Sequence, residues 1–114
     1  MRHILAACKY SLAGFKTAFK DEAAFRQICI CSGLGIPAAY CLGDNWQERS
    51  LLLLPLIIAL IVELLNTAIE SVVDMAQPDW HKLAKKAKDT GSAAQFCAQI
   101  FILLIWGGFL LEKI

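Results

Sequence analysis

The sequence predicts an all-α membrane protein, with an N-terminal amphipathic surface helix followed by three transmembrane helices. Three observations predict it. Hydrophobic residues make up 58% of the 114 and charged residues only 18%, with a mean hydropathy of +0.56; ordinary soluble chains are less apolar. The apolar residues gather in segments at 28–42, 51–62 and 93–111, parted by polar stretches. Nine of the eleven Lys and Arg residues lie in just two regions, 1–27 and 77–92. At this length, residues 1–114 form a single domain.

The first element is a surface helix over residues 1–20. Leu5, Cys8, Leu12, Phe15 and Phe19 recur at spacings of three and four, while Lys9, Lys16 and Lys20 fall off that stripe. A basic amphipathic helix of this kind is too charged to span and suits the membrane surface, or a partner helix within the protein. The same charges leave no unbroken apolar region of the kind a secretory signal needs.

The second element is a span over 23–42. Its apolar core, Ile28 to Leu42, is short for the ~20 residues of a full crossing. The helix therefore starts earlier, which draws Glu22 and Arg26 to the membrane boundary. Gly33, Gly35 and Pro37 are tolerated in spanning helices. A compact polar turn follows at 43–50.

The third element, over 50–76, carries the chemistry. Leu51 to Val62 has no polar side chain, and Pro55 predicts a kink near its start. Glu63-Leu64-Leu65-Asn66-Thr67-Ala68-Ile69-Glu70-Ser71-Val72-Val73-Asp74 follows directly. At about 100° per residue, Asn66, Thr67, Glu70 and Asp74 all fall within roughly 60° of Glu63. In a soluble helical bundle, with 51–62 as core, that stripe would be a solvated face. In a spanning helix it is costly, about 3 kcal/mol for an acid at membrane depth, and such residues face a bundle interior and serve a function.

Gln77-Pro78 ends this helix. The connection 77–92 is polar and basic, with room for a short helix, and Thr90-Gly91-Ser92 offers breakers and N-cap candidates. Asp79-Trp80-His81 reads equally as an interfacial turn anchored by Trp80 and as a binding element. The last span covers 93–111, interrupted only by Gln95 and Gln99.

The basic residues set orientation. By the positive-inside rule the N-terminus and the 77–92 connection are cytoplasmic, and the 43–50 turn and the C-terminus lie outside. Glu63 then sits deeper in the membrane, with Glu70 about 10 Å nearer the cytoplasm. The acidic stripe, Glu22 and the connection's lysines converge on the inner boundary. Acids beside lysines there suit a magnesium-bound polyphosphate, the carboxylates holding metal and the lysines neutralising phosphate oxygens. Cys8, Cys29, Cys31, Cys41 and Cys97 show no zinc spacing and read as small buried hydrophobes. No GxxxxGK[ST] loop is present, and Gly33-x-Gly35 lacks a third glycine and a strand. Nothing points to nucleic acid.

Four blocks resemble the small bacterial integral-membrane diacylglycerol kinase family, which includes undecaprenol kinases. They are Tyr10-Ser11, Glu22-Ala23-Ala24-Phe25-Arg26-Gln27, the Glu63–Asp74 stretch, and Ala87-Lys88-Asp89-Thr90-Gly91-Ser92-Ala93-Ala94. The blocks keep the family's order and spacing over nearly the whole chain. Departures are His3 where an arginine is frequent, Ile28 where an acid commonly follows the Arg-Gln pair, and Trp80 in place of tyrosine.

The resemblance implies a homotrimer of three-span subunits in the bacterial inner membrane, with active sites shared between neighbours. It implies transfer of the ATP γ-phosphate to the primary hydroxyl of diacylglycerol, giving phosphatidic acid, with Mg2+ as cofactor. Residue by residue, Glu63 resembles the general base, and Glu22 and Glu70 the magnesium ligands that also meet the nucleotide. Tyr10, His81, Lys88 and Asp89 resemble nucleotide contacts. Ser11, Arg26, Asn66 and Ser92, together with Glu63, resemble the lipid-substrate contacts. The alternatives are an undecaprenol kinase, or a small non-enzymatic ion carrier using Glu63 and Glu70 as relays.

Overall fold

The fold is built from helices alone because most of the chain is too apolar for any other arrangement. In hydrocarbon every backbone N–H and C=O needs a partner within the protein, and a continuous apolar segment of about 20 residues supplies its own as an α-helix. The computed structural model describes residues 1–114 and contains four helices: α1 (Arg2–Asp21), α2 (Ala23–Leu42), α3 (Trp46–Ala76) and α4 (Lys82–Lys113). By length and composition α2, α3 and α4 are each able to cross a membrane. A helix stands where the surface helix is expected, and three helices long and apolar enough to span follow it.

Local chemistry explains the corners. Between α1 and α2 only Glu22 leaves the helical region, with φ −116° and ψ 112°. The guanidinium of Arg26 reaches back to close the end of α1, its Nη1 donating to the carbonyls of Phe19 (2.9 Å) and Lys20 (2.8 Å). Those carbonyls would otherwise be left without donors at a helix C-terminus. Between α2 and α3, Asn45 caps the start of α3, its side chain accepting from the Glu48 N–H at 2.9 Å. The irregular turn is thus 43–45, and α3 begins four residues earlier than the polar composition of 43–50 suggests. His81 caps α4, its Nδ1 accepting from the Leu83 N–H at 3.1 Å.

Two expectations are corrected. The cysteines are not buried within the single chain, since Cys8, Cys31, Cys41 and Cys97 are exposed and Cys29 is half-buried. Thr90-Gly91-Ser92 does not break the chain, and α4 runs unbroken from the basic connection into the third span. Thr90 Oγ1 donates to the Lys86 and Ala87 carbonyls at 2.9 and 3.0 Å, so its hydroxyl is used inside the helix rather than at a cap. Gly91 is buried against Asn66 of α3. A mid-helix glycine costs about 1 kcal/mol against alanine, and here it gives close approach of two helices. Pro55 likewise sits inside a continuous α3; in the turn it disturbs, the Leu52 carbonyl accepts from Trp106 Nε1 at 3.0 Å.

Packing is one-sided. The buried residues of α3 are Leu52, Pro55, Leu56, Ala59, Glu63 and Asn66, spaced by three, one, three, four and three, which is one helical stripe. Leu51, Leu54, Ile57, Ile61 and Leu65 stay between 42 and 59% exposed. A water-soluble bundle would bury them; facing lipid or other copies they cost nothing, which removes the soluble reading of 51–62. The interior of the single chain is small: Ile28, Ala59 and Ala98, with Ile58, Leu60, Val62 and Ile102 around them. The apolar side of α1 is scarcely covered, with Leu5 65% and Leu12 69% exposed, although Phe15 stacks on Phe25 at 6.4 Å between ring centres.

Candidate active site

The buried stripe of α3 changes character along its length. Leu52 to Ala59 is apolar, and the same face continues as Glu63 and Asn66, 4% and 8% exposed. The acids and amides therefore point into the bundle, as the cost of placing them in hydrocarbon requires. Opposite them α4 presents Ser92, Gln95 and Gln99, at spacings of three and four.

Between these faces lies an open cleft of about 370 Å³. Three carboxylates line it: Glu22 from the α1–α2 corner, and Glu63 and Glu70, two turns apart on α3. Asn66, between the two acids of α3, donates from Nδ2 to Glu70 Oε1 at 3.4 Å, a long contact. Its Oδ1 has no partner, and neither amide atom of Gln95 has one. An unpaired buried polar group costs about 1–3 kcal/mol, so this wall is prepared for something that supplies donors and acceptors.

A second hollow of about 270 Å³ lies at the α3–α4 connection, lined among others by Asp79, Trp80, His81, Lys85, Lys88 and Asp89. Lys88, which lines this hollow, also feels the charge of Glu70 in the acidic cleft. Its Nζ is 2.5 Å from an Asp74 carboxylate oxygen. Hydrogen bonding to Asp74, and the negative charges of Asp74 and Glu70, hold its ammonium above the usual lysine range against the opposing effect of desolvation. A lysine so placed stays cationic at neutral pH. Asp89 is paired with Lys85, also at 2.5 Å.

The sequence-predicted residues thus divide. Glu22, Glu63, Asn66, Glu70 and Ser92 share the acidic cleft; His81, Lys88 and Asp89 share the adjoining hollow. Tyr10, Ser11 and Arg26 line neither. Tyr10 is 72% exposed on α1, Ser11 borders a small groove with Gly14, Phe15 and Leu64, and Arg26 closes α1. The cleft also contains Gln95, Phe96 and Gln99, which sequence reasoning treated only as part of a span. A signal for the two glutamines existed: with Ser92 they repeat at helical spacing, and they are the only amides in the span.

The donor set of the cleft is oxygen throughout, which suits a hard divalent cation. No three Asp, Glu, His or Cys side chains come together as a ready-made cage. One or two carboxylates completed by ligands from elsewhere is the pattern of magnesium carried with phosphates.

Comparison with known proteins follows the same lines. The model of the family described as prokaryotic diacylglycerol kinase matches residues 9–110. The diacylglycerol kinase of Pseudomonas aeruginosa is 49% identical over 111 residues, covering 97% of this chain and 90% of that one. That of Haemophilus influenzae is 40% identical, covering 96% and 93%, and that of Escherichia coli K12 is 40% identical, covering 90% and 84%.

Proposed function

The chain belongs to the prokaryotic diacylglycerol kinase family, and from that premise we propose that it is a lipid kinase transferring the γ-phosphate of magnesium ATP to the primary hydroxyl of diacylglycerol. The observation that supports this reading best is the meeting of Glu22, Glu63 and Glu70 in one cleft on membrane-spanning helices, with Lys88 beside it. A water-soluble donor reaches such a site from the cytoplasm while the acceptor's acyl chains stay in lipid.

Each group has a task. The Glu63 carboxylate takes the proton of the lipid hydroxyl; the hydroxyl oxygen bonds to the γ-phosphorus, the bond to the β-phosphate bridge breaks, and ADP leaves. Glu22 and Glu70 would hold the magnesium, which would supply positive charge to offset that of the phosphates. Lys88, Asp89, His81 and Tyr10 face the nucleotide, while Asn66, Ser92, Ser11 and Arg26 attend the lipid headgroup. Positioning and charge neutralisation suffice for phosphoryl transfer, so no glycine-rich phosphate loop is needed. Water is scarce at this depth, and each charge interaction is correspondingly stronger.

The protein works as a homotrimer in the bacterial inner membrane, with the N-terminus and the 77–92 connection cytoplasmic. Two observations favour an assembly: the apolar side of α1 is unburied, and Tyr10 and Ser11 lie away from their own chain's cleft. A neighbour's α1 brings them to a shared site. Incubating membranes that contain the protein with labelled ATP and either diacylglycerol or undecaprenol tests the reading. Label in phosphatidic acid is expected. Label in undecaprenyl phosphate alone would change the substrate, and label in neither lipid would refute the kinase.

A further inference from the structure

We propose that Gln95 recognises the ester group of the acceptor lipid, and so selects a glyceride over an alcohol that carries only a hydroxyl. This rests on the kinase reading above and deepens it.

Gln95 is only 7% exposed, yet it lines the acidic cleft and both its Nε2 and Oε1 lack a hydrogen-bond partner. Gly91, one turn earlier on the same face of α4, is packed against Asn66, so this is where α3 and α4 approach closely. The Asn66 Oδ1 is unpaired as well. One amide donor and two amide acceptors are therefore left over, in a place where leaving them so is unfavourable. These groups are neutral, unlike the carboxylates and Lys88 that suit magnesium and phosphate. Their complement is a neutral ligand that accepts one hydrogen bond and donates another. A diacylglycerol offers an ester carbonyl to the Nε2–H and a hydroxyl to the amide oxygens, only a few atoms apart. A polyprenol has a hydroxyl but no carbonyl, and would leave the donor unpaired. Phe96, beside Gln95 in the cleft wall, supplies an apolar surface for the start of an acyl chain.

The test compares 1,2-diacylglycerol with its 1,2-dialkyl ether analogue, which lacks the carbonyl, for wild type and Gln95→Leu in mixed micelles. Wild type should favour the ester in kcat/KM by about tenfold, the worth of one neutral hydrogen bond. In Gln95→Leu that preference should vanish, through a higher KM for the ester lipid, with the KM for magnesium ATP unchanged. A double comparison of this kind isolates the one contact. A preference that survives the substitution overturns the proposal. So does an equal loss on both lipids, which would make Gln95 merely a support for Asn66. Should the variant fail to fold, the wild-type ratio still decides, since equal use of ester and ether leaves no carbonyl contact. Wild-type protein that phosphorylates neither lipid would remove the kinase reading and this inference together.

Discussion

The two ends of the bundle treat charge in opposite ways. At the end formed by the α2–α3 turn and the end of α4, Asp44 and Glu48 are both matched to Lys113, and only Arg49 Nε is buried without a partner. Lys113 Nζ lies 2.6 Å from Asp44 and 3.1 Å from Glu48; Glu48 also accepts from the Asp44 N–H at 3.0 Å, and Arg49 lies over Tyr40. At the other end Glu22, Glu63 and Glu70 face a cleft with no cation joined to them by an ion pair, and three amide atoms go unpaired. A closed network ties elements together. An open one, held inside apolar helices, is poised for a ligand. Location in the fold alone does not distinguish them; satisfaction does.

The strongest way to break this contrast is at Glu63. Glu63→Gln keeps shape and burial but removes the proposed base, so turnover should fall by about 10³-fold, within the usual range for a general base. ATP should still raise the thermal stability of the variant, because the nucleotide contacts remain. Activity near that of wild type, in the labelled-ATP assay, would end the base assignment. Glu22→Gln or Glu70→Gln should instead raise the magnesium concentration needed for half-maximal rate, and an unchanged magnesium titration would end the ligand assignment.

A pair of glycines sharpens it next. A Cβ on Gly91 would run into Asn66 Oδ1. Gly91→Ala should therefore displace a cleft residue and lower kcat/KM about tenfold while changing Tm little. A Cβ on Gly43 would lie 2.7 Å from Arg49 Cγ and 3.0 Å from both the Ala39 carbonyl oxygen and the Arg49 nitrogen. Backbone there cannot yield, so Gly43→Ala should lower Tm and spare the activity of the folded fraction. If the two substitutions exchanged effects, the division between a tied end and a poised end would fail.

Sequence carried the fold well because hydropathy and charge placement decide which helices cross a membrane. The acidic stripe was legible for a similar reason: Glu63, Asn66 and Glu70 repeat at helical spacing within an apolar run, where their cost demands a purpose. What escaped depends on neighbours. Thr90-Gly91-Ser92 has the composition of a break, yet α3 comes so close that Gly91 is needed within the helix. Gln95 looked like an interruption of a span, since which wall it faces is decided by how α4 crosses α3. Arg26 resembles a lipid contact in sequence, and that its guanidinium closes α1 depends on the turn at Glu22.

Lys88 sits between the two behaviours, tied to Asp74 yet beside the cleft. Lys88→Met should raise the KM for magnesium ATP several-fold, by removing a cation of the connection hollow that also feels the charge of Glu70. Asp74→Asn should do less, because it frees the lysine without removing it. Equal effects from the two substitutions, in steady-state kinetics at several ATP concentrations, would show that the ion pair rather than the cation matters to the nucleotide.

The smallest effect is expected at the tied end, from Lys113→Met. Hydrogen bonding to Lys113, followed by its charge, holds the Asp44 carboxyl below the usual carboxylate range, and Asp44 and Glu48 hold the Lys113 ammonium above the usual lysine range. Asp44 therefore contributes stability in full above its unfolded pKa, about 3.9, and loses it as pH falls through its lower folded value. Lys113 contributes in full below its unfolded pKa, about 10.4, and loses it as pH rises through its higher folded value. Between those limits, the Tm difference between wild type and Lys113→Met should be flat with pH and small, since both partners are exposed and screened. It should shrink at either extreme and in high salt, with kcat/KM unaltered throughout. A fall in kcat/KM at neutral pH would mean that the two ends communicate, and that matched charge at one end governs the open cleft at the other.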